Sequence, residues 1–135
     1  MQTFSADYLD ETRAGMWEDS IAALDLLNLS HRDRILDVGC GVGHLTHILK
    51  KESTATLVGL DADISLLTHL EGIEKIAGDA TQLPLTTNSF DLVIAQALLI
   101  NLPRPREALI EFQRVSSDLV AVIEPDNSEV AVDST

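Results

Sequence analysis

From residue 34 onward, short apolar runs alternate with stretches of helical periodicity. The runs are "RILDV" (34–38), "TLVGLD" (56–61), "EKIAGD" (74–79), "FDLVIA" (90–95) and "LVAVIEP" (119–125). Each is short, continuous and rich in β-branched or aliphatic residues, as buried strands are. Between them, Leu45, Ile48 and Leu49 give a helix closed by Lys50 and Lys51, cations that suit a helix C-terminus. "ISLLTHL" offers a second helix with Ile64, Leu67 and Leu70 on one side. "PREALIEFQRVS" offers a third, with Pro105 in its first turn and Leu109, Phe112 and Val115 facing in. Upstream, Trp17, Ile21, Leu24 and Leu27 recur at helical spacing, and Gly15 separates them from the amphipathic piece "ADYLDETR". "HRDR" reads as the turn into the first strand and "LPLTTNS" as a loop.

Strand–helix alternation of this kind implies a parallel sheet covered on both faces. Right-handed crossovers make a Rossmann-like, doubly wound α/β sheet the economical topology, with expected strand order 3-2-1-4-5. The connection from strand three to strand four carries the proline loop and little helix. The expected organisation is one domain: residues 1–30 as a helical cap, 31–125 as the core and 126–135 as a tail.

Composition narrows the classes. The chain has 135 residues, 45% of them hydrophobic, enough for a folded core. Its apolar runs are far short of the ~20 residues of a membrane span. "MQTFSADYLDETRAG" has no apolar core of a secretory signal, so the expected compartment is the cytoplasm. A single cysteine, Cys40, leaves no internal disulfide and no cysteine-based metal site, and no metal is expected. The net charge is −13, with three lysines against thirteen aspartates, so no basic stripe exists for nucleic acid. The same bias fits either a salt-rich, halophile-type cytoplasm or ordinary solubilising charge.

In a sheet of this type the ligand lies beyond the carboxyl ends of the strands, beside strand one. The residues there are "DVGCGVG" (37–43), Asp61, Asp79 and Gln96. The glycines at 39, 41 and 43 make G-x-G-x-G, whereas a dinucleotide fingerprint is G-x-G-x-x-G, and no lysine follows to complete a phosphate loop. Asp37, at the end of strand one, would repel a pyrophosphate but can pair with an ammonium, directly or through water. Asp61 lies about where an acidic residue accepts from ribose hydroxyls. Asp79 stands where it could accept from an exocyclic amine of adenine. Asp63 reads as the cap of the helix beginning at Ile64. Cys40, between two glycines, reads as a small side chain in a tight turn rather than a nucleophile.

"ILDVGCGVGHLT", "VGLDAD", "AGDATQLPLTTNSFDLVIAQALL" and "LVAVIEPD" resemble, in order, the motifs of class I methyltransferases dependent on S-adenosylmethionine, and "GDATQLPLTTNSFDLV" is similar to the small-molecule branch that includes quinone-precursor and sterol methyltransferases. The resemblance covers about residues 31 to 125. It implies a backbone turn at Gly39, Cys40 and Gly41 beside the methionine part of the cofactor, with Asp37 near its ammonium. It further implies Asp61 on the ribose hydroxyls, Ala62 beside the adenine face, Asp79 and Ala80 at the adenine edge, and Gln96 near the methionine end and the substrate. The acceptor implied is a small molecule.

Methyl transfer needs alignment and exclusion of water more than acid–base machinery, so no motif announces a base. His44 borders the turn, while His31, His47 and His69 read as surface residues, and the catalytic residues are unassigned. Asn101 reads equally as substrate-facing or as a turn residue. Tyr8, Arg13 and Trp17 are candidates to cover the cofactor, with Arg13 paired to its carboxylate, against the slightly favoured reading of Trp17 as core and Arg13 as a solvated charge. Family members usually continue past strand five with a helix and an antiparallel strand pair, which this chain lacks. Strand five is thus expected as an exposed edge. Either the chain is a fragment, the favoured reading, or the edge is covered by another copy or by "EVAV". Two rivals remain: a non-catalytic methyltransferase-like scaffold subunit, and an NAD(P)-dependent oxidoreductase, against which Asp37 and the glycine spacing count.

Overall fold

The computed structural model describes residues 3–4, 26–124 and 129–134. Its strands are β1 (Thr3–Phe4), β2 (Arg34–Val38), β3 (Thr56–Asp61), β4 (Glu74–Ala77), β5 (Phe90–Gln96), β6 (Ser116–Glu124) and β7 (Glu129–Ser134). The helices are α1 (His44–Glu52), α2 (Ile64–Leu67) and α3 (Pro105–Val115), with short 3-10 turns at Leu29–His31 and Leu99–Asn101.

All seven strands join one sheet in the order β1-β7-β6-β5-β2-β3-β4. Its central five, β4-β3-β2-β5-β6, are parallel, in the 3-2-1-4-5 arrangement expected from the strand–helix alternation. Residues alternate between the two faces. Ile35, Leu92 and Ile94 pack with Leu49 of α1 and with Leu70, while Leu36, Val38 and Val93 pack with Phe112 and Val115 of α3. Both faces are therefore core, as continuous apolar strands require.

The sheet does not stop at β6. β7 pairs with it antiparallel, Ala121 opposite Val132 and Ile123 opposite Val130, and β1 pairs with β7 in turn. The expectation of a bare strand-five edge, and of a homo-oligomer formed through it, is thereby corrected. "EVAV" lies within β7 and takes up the hydrogen-bonding groups that an edge would have exposed. Thr3 and Phe4 are strand, not part of a helical cap. The other residues expected in that cap up to Asp25, with Tyr8, Arg13 and Trp17 among them, lie outside the described residues.

Two helix faces also differ from expectation. In α3 the inward positions are Ala108, Phe112 and Val115, while Leu109 is turned toward solvent. α2 is a single turn, so Ile64 is exposed and only Leu67 and Leu70 reach the core. Apolar spacing identified the helices, but a short helix can bury only part of its stripe.

A buried arginine organises the opposite end of the sheet. Arg32 donates Nε to the Leu27 carbonyl (2.7 Å) and Nη1 to the Asp91 carbonyl (3.1 Å), and pairs with Asp118. Asp91 in turn accepts the N–H groups of Asp33 and Arg34. The "HRDR" turn is thus a knot binding the start of β2 to β5 and β6.

Candidate functional site

Register brings the candidate residues to one end of the sheet. Val38 lies opposite Leu60 on one side and Ala95 on the other, so Gly39, Asp61 and Gln96 emerge at one level. Asp61 pairs with Ala77, which places Asp79 two residues further along the chain from the same level.

The turn after β2 is held by its neighbour strand. The N–H groups of Gly39 and Cys40 both donate to the Leu60 carbonyl, at 2.7 and 3.1 Å, and Gly41 N–H donates to Asp61 Oδ2 at 2.9 Å. Gly39, Gly41 and Gly43 all have positive φ (71°, 56° and 93°), a conformation that side-chain-bearing residues rarely adopt. The three positions differ in what surrounds them. A Cβ on Gly39 would sit 2.8 Å from Leu98, and one on Gly43 would sit 2.2 Å from Leu70. A Cβ on Gly41 would meet nothing within 4 Å, so here the turn faces open space and a ligand can approach the backbone.

Asp37 is 1% exposed and accepts the Thr46 hydroxyl at 2.7 Å. Burial, opposed by that hydrogen bond and reinforced by the charge of Asp61, pushes its carboxyl up to about 7. The thiol of Cys40 is pushed up to about 12 by burial and by the charges of Asp37 and Asp61. Such a thiol is no nucleophile at neutral pH, in keeping with a small residue in a tight turn. Cys40 also packs beside Gly59 of β3, where a Cβ would lie 3.0 Å from its sulfur.

Asp61 accepts Gly41 N–H on Oδ2 and Asp63 N–H on Oδ1, which fixes its carboxylate at the mouth of the turn. Ala62 follows it and is exposed. Asp63 caps α2 by accepting from Ser65 N–H, as expected. Asp79 is exposed and accepts both the N–H and the hydroxyl of Thr81, which hold its carboxyl below the usual range. Ala80 turns its side chain into the core. Gln96 ends β5 half-buried and is followed by Ala97 at φ 53°. Asn101 donates to the Ala97 carbonyl at 3.2 Å, a turn role. His31, His44, His47 and His69 are all exposed.

Four side chains escaped the sequence reading: Thr46, Leu98 and the pair Glu111–Arg114. The pair anchors the proline loop, Glu111 accepting Leu83 N–H and Arg114 donating to the carbonyls of Leu83 and Leu85. A threonine on the buried side of α1, between Leu45 and Leu49, was the visible signal for the first.

Three carboxylates with a turn of exposed backbone, and no lysine, suit a ligand with a cation and hydroxyls better than a polyphosphate. Comparison with known proteins gives the family. Residues 36–118 match the methyltransferase domain family. An uncharacterised methyltransferase of Schizosaccharomyces pombe is 31% identical over 125 residues, covering 81% of this chain and 45% of that protein. The demethylmenaquinone methyltransferase of Renibacterium salmoninarum is 37% identical over 87 residues (62% and 36%). An 18S rRNA guanine-N7 methyltransferase of Saccharomyces cerevisiae is 37% identical over 81 residues (56% and 30%). Among solved structures, a SAM-dependent methyltransferase from Aquifex aeolicus superposes with TM-score 0.69 at 22% identity, over 78% of this chain and 63% of that one. The [4+2]-cyclase SpnF superposes with TM-score 0.73 at 21% identity (82% and 45%). The chain belongs to the methyltransferase domain family. It spans less than half the length of these curated relatives.

Proposed function

We propose that the chain binds S-adenosylmethionine at the carboxyl end of the sheet and directs its methyl group to a small-molecule acceptor. The observation that carries this reading is the glycine turn pinned to Leu60 and Asp61 with its Gly41 side open, and Asp37 buried behind it. In this reading Gly39, Cys40 and Gly41 present backbone to the methionyl part, and Asp37 faces its ammonium. Asp61 receives the ribose hydroxyls on lone pairs left beside its two backbone contacts. Ala62 borders the adenine face, Asp79 and the Ala80 backbone its edge, and Gln96 the methionine end.

When bound, the sulfonium supplies the electrophilic methyl group. The chain's share is alignment and exclusion of water. Pinned backbone and a carboxylate fixed by two N–H donors achieve this without reorganisation. The four histidines, all exposed, supply no buried base.

The choice of a small acceptor is supported by the net charge of −13, which opposes a phosphate-rich partner, and by the similarity to a quinone-precursor methyltransferase. The similarity to an rRNA methyltransferase makes RNA the competing acceptor. No helix among the described residues is long and apolar enough to cross a membrane, and we place the chain in the cytoplasm.

Titration with S-adenosylhomocysteine and with NAD tests the reading. Binding of S-adenosylhomocysteine alone is the expected result, and binding of NAD alone would overturn it. Labelled S-adenosylmethionine incubated with a metabolite extract or with total RNA distinguishes the acceptors. Label transfer to RNA but not to small molecules would contradict the second half of the proposal.

A further inference from the structure

We propose that Thr46 is a positioning residue for the ligand's ammonium: from the buried side of α1 it fixes Asp37 so that one carboxylate oxygen is committed to the protein and the other is kept for the cation. This rests on the S-adenosylmethionine reading of the site and adds a residue that lies outside the glycine turn.

The geometry is specific. Thr46 is 0% exposed, in the first turn of α1, and its Oγ1 donates to Asp37 Oδ2 at 2.7 Å. A helical threonine ordinarily returns its hydroxyl to a carbonyl of the preceding turn, whereas here it reaches across to β2. Oδ1 of Asp37 has no partner among the described residues. The titratable groups that interact with Asp37 are Asp61 on β3 and the Cys40 thiol in the turn, and neither brings a positive charge. A cation arriving at Oδ1 would meet a carboxyl that ionises only near neutrality in the empty protein. Binding below that pH must therefore expel a proton, and the Thr46 hydroxyl, which favours the ionised form, moves the threshold downward.

Calorimetric titrations between pH 6 and 8.5 separate the components, with S-adenosylhomocysteine as the probe that carries the ammonium and methylthioadenosine as the probe that lacks it. Thr46→Val should weaken S-adenosylhomocysteine about tenfold at pH 7, in proportion to a lost hydrogen bond to a charged group. Methylthioadenosine should change less than about twofold. The pH below which S-adenosylhomocysteine affinity falls should move upward, and Thr46→Ser should restore both affinity and threshold. For the unmodified chain, titration at pH 6 in two buffers of different ionisation enthalpy should show proton release with S-adenosylhomocysteine and none with methylthioadenosine. That measurement stands even if Thr46→Val fails to fold. Equal weakening of both probes, an unmoved threshold, or no proton release would overturn the role of Thr46. Failure of the unmodified chain to bind either probe would instead overturn the S-adenosylmethionine reading, and this proposal with it.

Discussion

At the scale of single residues the site is built around a buried acid. Asp37 is protonated more readily folded than unfolded, its carboxyl lying near 7 rather than 3.8. Below about pH 3.8 it is protonated in both states and costs nothing. Between there and pH 7 the unfolded chain ionises first, so stability declines as pH rises, and above pH 7 the loss is complete. Asp37→Asn should therefore unfold at higher temperature than the unmodified chain at pH 8, by a few kcal/mol of stability, with the difference vanishing near pH 4. Thermal melts across that range check it, and a variant destabilised at pH 8 would contradict it. The same variant should lose affinity for an ammonium-bearing ligand, the trade expected where a binding site holds a costly group.

Much of this was legible in the sequence. Asp37, Asp61 and Asp79 are marked by their places after apolar runs, and the glycine spacing with Asp37 counts against a dinucleotide turn. Thr46 stood out only as a threonine on a buried helix face; its bond to Asp37 was not legible, because that partner is set by how α1 packs on β2 and not by proximity along the chain. Nor was the tie between Gly41 and Asp61, a contact across twenty residues.

Among the elements, α1 and β2 depend on the glycine that joins them. Gly43 is the left-handed cap of α1, and a side chain there would run into Leu70 at 2.2 Å. Gly43→Ala combines the wrong backbone region with overpacking and should cost about 2–4 kcal/mol in urea unfolding. An effect under about 1 kcal/mol would mean that the turn can rearrange. At the other end of β2, Arg32→Ala would leave the Leu27 and Asp91 carbonyls without their donor. The expected loss in the same assay is about 3 kcal/mol, and a neutral result would contradict the knot. The strands were readable because each is a continuous apolar run. Leu109 and Ile64 misled because α3 turns Ala108 inward in place of a leucine, and α2 is one turn long.

Over the whole molecule, the parallel sheet follows from strand–helix alternation, whereas the covering of β6 by β7 depends on the six residues Glu129–Ser134, too short a stretch to read firmly. The charge of −13 belongs to this scale as well. Self-repulsion of an acidic surface should be screened by salt, so the unfolding midpoint should rise with potassium chloride, and a flat curve would remove the salt-adapted reading.

The central claim is that an adenosine-bearing ligand with a methionyl cation sits between the glycine turn and Asp61. Calorimetric titration of S-adenosylhomocysteine into the chain and into Asp61→Ala tests it most directly. The prediction is one-to-one binding that weakens at least about tenfold in the variant, since both the ribose acceptor and the tie to Gly41 are lost. Equal affinity in the two proteins would contradict it.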